Sequence, residues 1–225
     1  DLCNIPPQTE KEILEYMDAL DNHARFPVLS VPGNHDGYCT GVGAGRITFD
    51  TFEHWDRGFG PMNMDLSFGE VSLIGINSFD KPALSRNLYG GLGEAMDQGA
   101  VGEEQLKWID SALERASSRS GDCVLFCHHN PTNTVVDVNG PFSIKPFSET
   151  GRSGFLALLE KHRPSTLFCG HVHGVFEEKY ASTRVVTVPT AGSLPYDESH
   201  PLGINIVSVK GGKIKDVETV EIARI

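Results

Sequence analysis

The chain has 225 residues, 39% of them hydrophobic and 22% charged, and a formal net charge of −11. This length suffices for one large domain with a substantial core, and we predict a single domain over residues 1–225. The acidic balance disfavours nucleic acid as a partner, since its phosphates are bound mainly by Lys and Arg. Small phosphorylated substrates are compatible with it, because bound divalent metals reverse the local field. No apolar run is long enough to span a membrane.

The first elements predicted along the chain are a helix and a strand. A capping box at Thr9–Glu12 begins the helix, whose apolar residues recur on one face until the chain reaches Phe26. Residues Val28–Val31 are predicted to form a short buried strand. The polar residues of Gly33-Asn34-His35-Asp36 follow directly, and the glycine-rich residues 37–45 are predicted to form a mobile loop.

The middle of the chain alternates strands with helices. Residues 46–57 are weakly helical, residues 80–101 resemble a loop, and a helix with one apolar face begins at Gly102. Three strands are predicted here, at Met64–Phe68, Val71–Ile76 and Cys123–Cys127.

The last third begins with a polar loop over residues 130–150 and a helix around Phe155–Leu159. The strand Thr166–Cys169 follows, and then a run of four further strands: Phe176–Tyr180, Arg184–Val188, Ile204–Val209 and Ile214–Ile222. Strands that alternate with helices and then occur in series predict a mixed α/β architecture, with ligands bound at the carboxyl ends of strands.

Three polar clusters each follow a predicted buried strand, and together they predict a metal site. They are Gly33-Asn34-His35-Asp36, His128-His129-Asn130-Pro131 and Gly170-His171-Val172-His173-Gly174. Two histidines one residue apart, at a strand end that opens into a glycine turn, can both reach one small volume. Imidazole ligands suit Mn, Fe, Co, Ni or Zn better than Mg or Ca.

These clusters resemble, in order, the third, fourth and fifth motifs of the calcineurin-like metallophosphoesterases. The segment Glu104–Trp108 also resembles a helix of that family, so the resemblance covers essentially the whole chain. The family's first motif, D-x-H, is not found, and Asp1-Leu2-Cys3-Asn4 resembles the end of the second. The resemblance implies a four-layer α/β/β/α sandwich of two mixed sheets flanked by helices, here lacking its first strand.

The resemblance also implies a site with two divalent or trivalent transition metals. Asp1, Asn34, His128 and His171 would hold one metal, and Asp1 and His173 would share the other with the D-x-H pair. The alternative for Asp1 is that it binds no metal. His128 is favoured over His129 as the ligand because it follows the strand directly, and His129 would then support the site or face the substrate.

The activity implied is hydrolysis of a phosphoester by a hydroxide that the metals activate. His35 would donate a proton to the leaving oxygen, and Asp36 would orient His35. A phosphodiesterase acting on small diesters, of the cyclic-nucleotide or glycerophosphodiester type, is the leading interpretation. A phosphomonoesterase of the same fold and a non-catalytic scaffold are the alternatives.

The cysteines and the N-terminus suggest where the protein works. The count of five cysteines is odd, and three of them lie in apolar runs, which favours buried free thiols in a reducing compartment. The sequence begins at Asp1 and shows no export signal, so we expect a cytoplasmic protein with no membrane partner.

Overall fold

The structure is a computed structural model that describes residues 9–40, 49–86, 97–132, 147–192 and 198–222. Its α-helices are α1 (Thr9–His23), α2 (Thr51–Phe59), α3 (Glu103–Ser117) and α4 (Glu149–His162). Its strands are β1 (Cys39–Thr40), β2 (Phe49–Asp50), β3 (Met64–Phe68), β4 (Val71–Ile76), β5 (Cys123–Cys127), β6 (Thr166–Cys169), β7 (Phe176–Tyr180), β8 (Thr183–Thr187), β9 (Gly203–Lys210) and β10 (Lys213–Glu221). Short 3₁₀ turns occupy His35–Gly37 and Ala83–Arg86.

A six-stranded mixed sheet, in the order β3-β4-β5-β6-β8-β7, organises the fold. The four inner strands are parallel, whereas β3 and β7 pair antiparallel at the two edges. Helices flank the sheet, so the predicted α/β class is confirmed. Since β4, β5 and β6 run in the same direction, the polar residues that follow them emerge at one edge.

The main core lies between this sheet and the helices α3 and α4. Helix α3 places Ile109 and Leu113 in this core, and α4 places Phe155 and Leu159 there, all essentially inaccessible to solvent. They pack on inward residues of the inner strands such as Leu125. Full burial of each such side chain contributes about 1.5–3 kcal/mol, so this layer fixes the strands that carry the site.

The antiparallel hairpin β9–β10 forms a separate two-stranded sheet. An apolar groove is lined by Val207 of this hairpin and by Leu73, Phe126 and Phe168 of the large sheet. Among the described residues, this hairpin represents the second sheet of the predicted four-layer arrangement.

The prediction of a buried strand at Val28–Val31 was wrong. These residues form no strand, and Val28 and Leu29 are 37% and 42% exposed. The physical reason is that this segment has no partner strand within the described ranges, and an apolar run becomes a strand only when a ladder completes its hydrogen bonds.

None of the helices in the described ranges combines the length and apolar character needed to cross a bilayer.

Candidate metal centre

Three donor atoms from distant parts of the chain meet at the carboxyl edge of the large sheet. Asn34 precedes the turn His35–Gly37, His128 follows β5, and His171 follows β6 after one glycine. The His128 Nε2 atom lies 3.0 Å from Asn34 Oδ1 and 3.1 Å from His171 Nδ1, and the latter two atoms are 3.1 Å apart. The sequence-predicted residues Asn34, His128 and His171 are therefore brought together.

The parallel pairing of β5 with β6 explains how the two histidines meet. Cys127 and Cys169 are paired across these strands, so the residues after them leave the sheet side by side. The Gly170 amide then donates to the His128 carbonyl oxygen at 2.9 Å, which joins the two loops beyond the strand ends.

The turn that carries the histidine pair has an uncommon backbone. His171 and His173 have φ angles of 67° and 58°, in the left-handed region that side chains other than glycine seldom occupy. Such a conformation costs on the order of 1–2 kcal/mol per residue and persists where the surrounding structure imposes it. The strain is consistent with a turn built to place these two imidazoles.

Burial keeps the converging imidazoles neutral. It lowers the pKa of His128 and of His171 well below the ordinary histidine value, and the neighbouring His128 imidazole lowers the pKa of His171 further. A neutral imidazole is the form that binds a metal. Among the described residues, the buried His171 Nε2 atom has no hydrogen-bond partner.

A metal ion fits this donor set. All three atoms can present a lone pair to one position, and an oxygen with two nitrogens is a set that suits a transition metal. Adjacent ligands at right angles around an ion with bonds of about 2.1 Å lie about 3.0 Å apart, which matches the observed separations.

His129 is held by other partners, although it lies in the same histidine cluster as His128 and His171. Its Nε2 atom is 3.1 Å from the Asp97 carbonyl oxygen, which only accepts, so this nitrogen carries the proton. The Ser78 hydroxyl accepts from the His129 amide at 2.9 Å and donates to Nδ1, also at 2.9 Å. Both ring nitrogens are thereby occupied, which supports His128 as the ligand and gives His129 a supporting position.

The amide of Asn34 is oriented by two residues that the sequence interpretation did not identify. Its Nδ2 atom donates to the Tyr38 hydroxyl at 2.6 Å, and that hydroxyl donates to the Asp97 carboxylate. Burial raises the pKa of Tyr38, and Asp97 raises it further, so the hydroxyl keeps its proton.

The prediction of a mobile loop at residues 37–45 was wrong for its described part. Tyr38 is 2% exposed and packs its ring against Phe79, and Cys39 is fully buried in β1. Buried aromatic packing and hydrogen bonds hold these residues, whereas the glycines that suggested a loop fall mostly in residues 41–48, outside the described ranges.

His35 and Asp36 occupy the turn directly after Asn34. Asp36 is fully buried, and its Oδ2 atom accepts from the Gly33 amide at 2.8 Å, which closes the turn. His35 is half-buried, with its ring centroid 5.0 Å from that of Tyr38. The proton-donating role of His35 and the orienting role of Asp36 stay predictions.

Arg86 supports the same turn from behind, and no sequence motif pointed to it. Its guanidinium donates to the Gly37 carbonyl oxygen and to both carboxylate oxygens of Asp50, at 2.9 and 3.0 Å. It also lies 4.3 Å from the centroid of the Phe52 ring. This buried ion pair ties the turn His35–Gly37 to the start of α2.

The other predicted ligands are Asp1 and His173. Asp1 lies outside the described residues. His173 is half-buried, and its charge would lower the pKa of both His128 and His171, so it lies near the converging imidazoles. The second metal position stays a prediction.

Comparisons with known proteins identify the family of this chain and a similar fold. The family profile described as calcineurin-like phosphoesterase matches residues 1–175. The purple acid phosphatase PPD1 from yellow lupin (Lupinus luteus) seeds has a similar structure, with a TM-score of 0.52 and 12% identity. The match covers 92% of this chain and 44% of the lupin chain, so this chain spans less than half the length of that relative.

Two further structures are less similar. GAP50 of Plasmodium, described as the anchor in the inner membrane complex, gives a TM-score of 0.48 and 9% identity, covering 100% of this chain and 87% of its own. A protein from Staphylococcus aureus described as a 5'-nucleotidase gives a TM-score of 0.37 and 16% identity, covering 71% of this chain and 28% of its own. No curated protein sequence matches the chain. The profile match extends over more than half of the chain, and the chain belongs to the calcineurin-like phosphoesterase family.

Proposed function

We propose that this chain is a metal-dependent phosphoester hydrolase whose substrates are small phosphodiesters. One observation carries the proposal: Asn34 Oδ1, His128 Nε2 and His171 Nδ1 converge within 3.1 Å of one another. A neutral amide and two neutral imidazoles bind a metal without cancelling its charge, so the centre would remain attractive to an anionic phosphoester.

The residues of the chain would divide the work as follows. Asp1, Asn34, His128 and His171 would hold one metal, and Asp1 and His173 would share a second. When bound, a transition metal supplies Lewis acidity toward water and the phosphoryl oxygens. His35, which follows the ligand Asn34, would donate a proton to the leaving oxygen. Asp36, which accepts from the Gly33 amide within the same turn, would orient His35.

A phosphomonoesterase is the second candidate. The lupin protein is, by its name, a phosphatase, and its fold resembles this one. A metal shell of this kind serves either reaction, so the leaving groups that the enzyme accepts must decide between the two. A scaffold without catalysis is a third outcome, and it is disfavoured because Asn34, His35, His128 and His171 are all retained.

The deciding experiment compares hydrolysis of bis-p-nitrophenyl phosphate with that of p-nitrophenyl phosphate by the Mn²⁺-loaded protein. We expect faster turnover of the diester, its loss on chelation, and its loss in His171→Ala. Faster turnover of the monoester would establish the phosphatase instead. Bound metal without turnover of either ester, or of cyclic nucleotides and glycerophosphodiesters, would contradict the hydrolase proposal and favour the scaffold.

A further inference from the structure

The side chain of Asn34 ends in a hydrogen-bond relay that leads away from the metal centre. Its Nδ2 atom donates to the Tyr38 hydroxyl at 2.6 Å, and Tyr38 donates to Asp97 Oδ1. Asp97 is also connected to the histidine cluster through its backbone, because its carbonyl oxygen accepts from His129 Nε2 at 3.1 Å. Asp97 thus contacts both sides of the centre without reaching the converging donor atoms.

The direction of this relay follows from the chemistry of its last member. An ionised carboxylate only accepts hydrogen bonds, so the single proton of the Tyr38 hydroxyl is committed to Asp97. The hydroxyl oxygen can then only accept from Asn34, and it must therefore face the NH₂ end of the amide. This leaves Asn34 Oδ1 directed at His128 and His171, as observed.

The opposite orientation of the amide would compete with metal binding. An amide rotated by half a turn would direct its NH₂ group at the imidazoles, where it would donate to their free lone pairs. Such an arrangement is satisfactory for the metal-free protein but removes the oxygen ligand and places a donor where a cation belongs. The contact of the Asn34 NH₂ group with the Tyr38–Asp97 pair disfavours this rotated orientation.

We propose that Tyr38 and Asp97 are positioning residues that fix Asn34 with its amide oxygen toward the metal. The inference rests on the proposed function only in requiring that Asn34, His128 and His171 bind a metal. It predicts that these two residues determine metal affinity although neither is a ligand. The packing of Tyr38 against Phe79 and His35 gives the relay a fixed geometry.

The test measures Mn²⁺ affinity of the full chain by isothermal titration calorimetry. Tyr38→Phe and Asp97→Ala should each weaken binding, by about 10- to 100-fold for Tyr38→Phe, which is the usual effect of losing a residue that orients a ligand. Tyr180→Phe is the matched control, because its hydroxyl donates to Glu160 at 2.7 Å on the protein surface. The control should bind Mn²⁺ as the wild type does.

A second background separates positioning from a general structural role. In Asn34→Asp the side chain presents an oxygen in either orientation. In this background Tyr38→Phe and Asp97→Ala should weaken Mn²⁺ binding by much less than tenfold. Equal losses in both backgrounds, no loss in either, or a wild-type protein that binds no Mn²⁺ would overturn the proposal. If the predicted pattern of Mn²⁺ affinities appears but no phosphoester is hydrolysed, this inference stands and the proposed function fails.

Discussion

The Nε2 atom of His128 lies 3.1 Å from the Nδ1 atom of His171, although 43 positions separate the two residues in the sequence. They meet because each follows one of two parallel strands that are paired at Cys127 and Cys169. Burial keeps both rings neutral, so each ring can present a lone pair to one position. A metal ion bound by Asn34, His128 and His171 requires this convergence.

The substitution His171→Ala should remove the metal and, with it, the hydrolysis of phosphoesters. Removing one of three converging donors leaves too few to hold the ion, so we expect Mn²⁺ content to fall to background and turnover to fall at least about 100-fold. Metal analysis after gel filtration gives the content. The matched control is His23→Ala, at the exposed end of α1, which should behave as wild type.

The substitution His35→Ala should lower kcat and leave metal binding intact. His35 is the proposed proton donor and not a proposed ligand, and the loss of a proton donor typically costs about 10²- to 10⁴-fold in rate. Substrates with a good leaving group, such as p-nitrophenolate, should lose less than alkyl esters because they need little protonation. A variant that loses its Mn²⁺ would make His35 a ligand and contradict this assignment.

The stability of the metal-free protein should fall as the pH is lowered through about 6.5. Burial lowers the pKa of His128, His129 and His171, so the unfolded chain takes up protons that the native protein does not. The free energy of unfolding should therefore decrease below the unfolded histidine pKa, by up to about 1.4 kcal/mol per pH unit for each histidine.

Urea unfolding between pH 7.5 and 5 measures this dependence on pH. His129→Gln should reduce the slope by one histidine's contribution. A free energy of unfolding that stays constant over this range would mean that the three rings titrate alike in the native and unfolded states.

The buried ion pair of Arg86 with Asp50 should matter far more than a surface pair of similar geometry. The two side chains are 6% and 19% exposed, and Arg86→Met would leave a buried carboxylate uncompensated, which costs about 3–5 kcal/mol. Arg184 makes a similar forked pair with Glu177, but these side chains are 37% and 57% exposed. Arg184→Met should lower the free energy of unfolding by less than about 1 kcal/mol.

Chemical denaturation of the two variants tests the contrast. Arg86→Met should also weaken catalysis in the folded protein, since its guanidinium holds the Gly37 carbonyl beside His35. Equal losses of stability in both variants would contradict the importance of burial.

The strands that carry the site could be predicted from sequence because apolar runs end in polar clusters. Strands β3 to β6 have the predicted bounds, and the helix predicted from Gly102 is α3, with Gly102 as its N-cap. Such runs are bounded by turn residues and are long enough to show their period. Val28–Val31 has the same composition, but a strand also needs a neighbour, and the sequence of one segment does not contain that information.

The residues that support the site could not be predicted. Tyr38 lies four positions after Asn34 in a glycine-rich stretch, and Asp97 lies in a segment with no periodic pattern. Arg86 belongs to a residue type that is usually exposed, so the sequence does not mark it as part of a site. Their roles arise from long-range contacts, at separations of 59 residues for Tyr38 with Asp97 and 36 for Arg86 with Asp50. The local sequence identifies the motif that contains a predicted metal ligand. The residues that hydrogen-bond to that ligand depend on the tertiary fold.

Anomalous X-ray diffraction from crystals grown with Mn²⁺ would locate the bound metal. We expect a peak within bonding distance of Asn34 Oδ1, His128 Nε2 and His171 Nδ1, with His129 still hydrogen-bonded to Ser78 and to the Asp97 carbonyl oxygen. No peak at this position, or a peak bonded to His129 in place of His128, would contradict it.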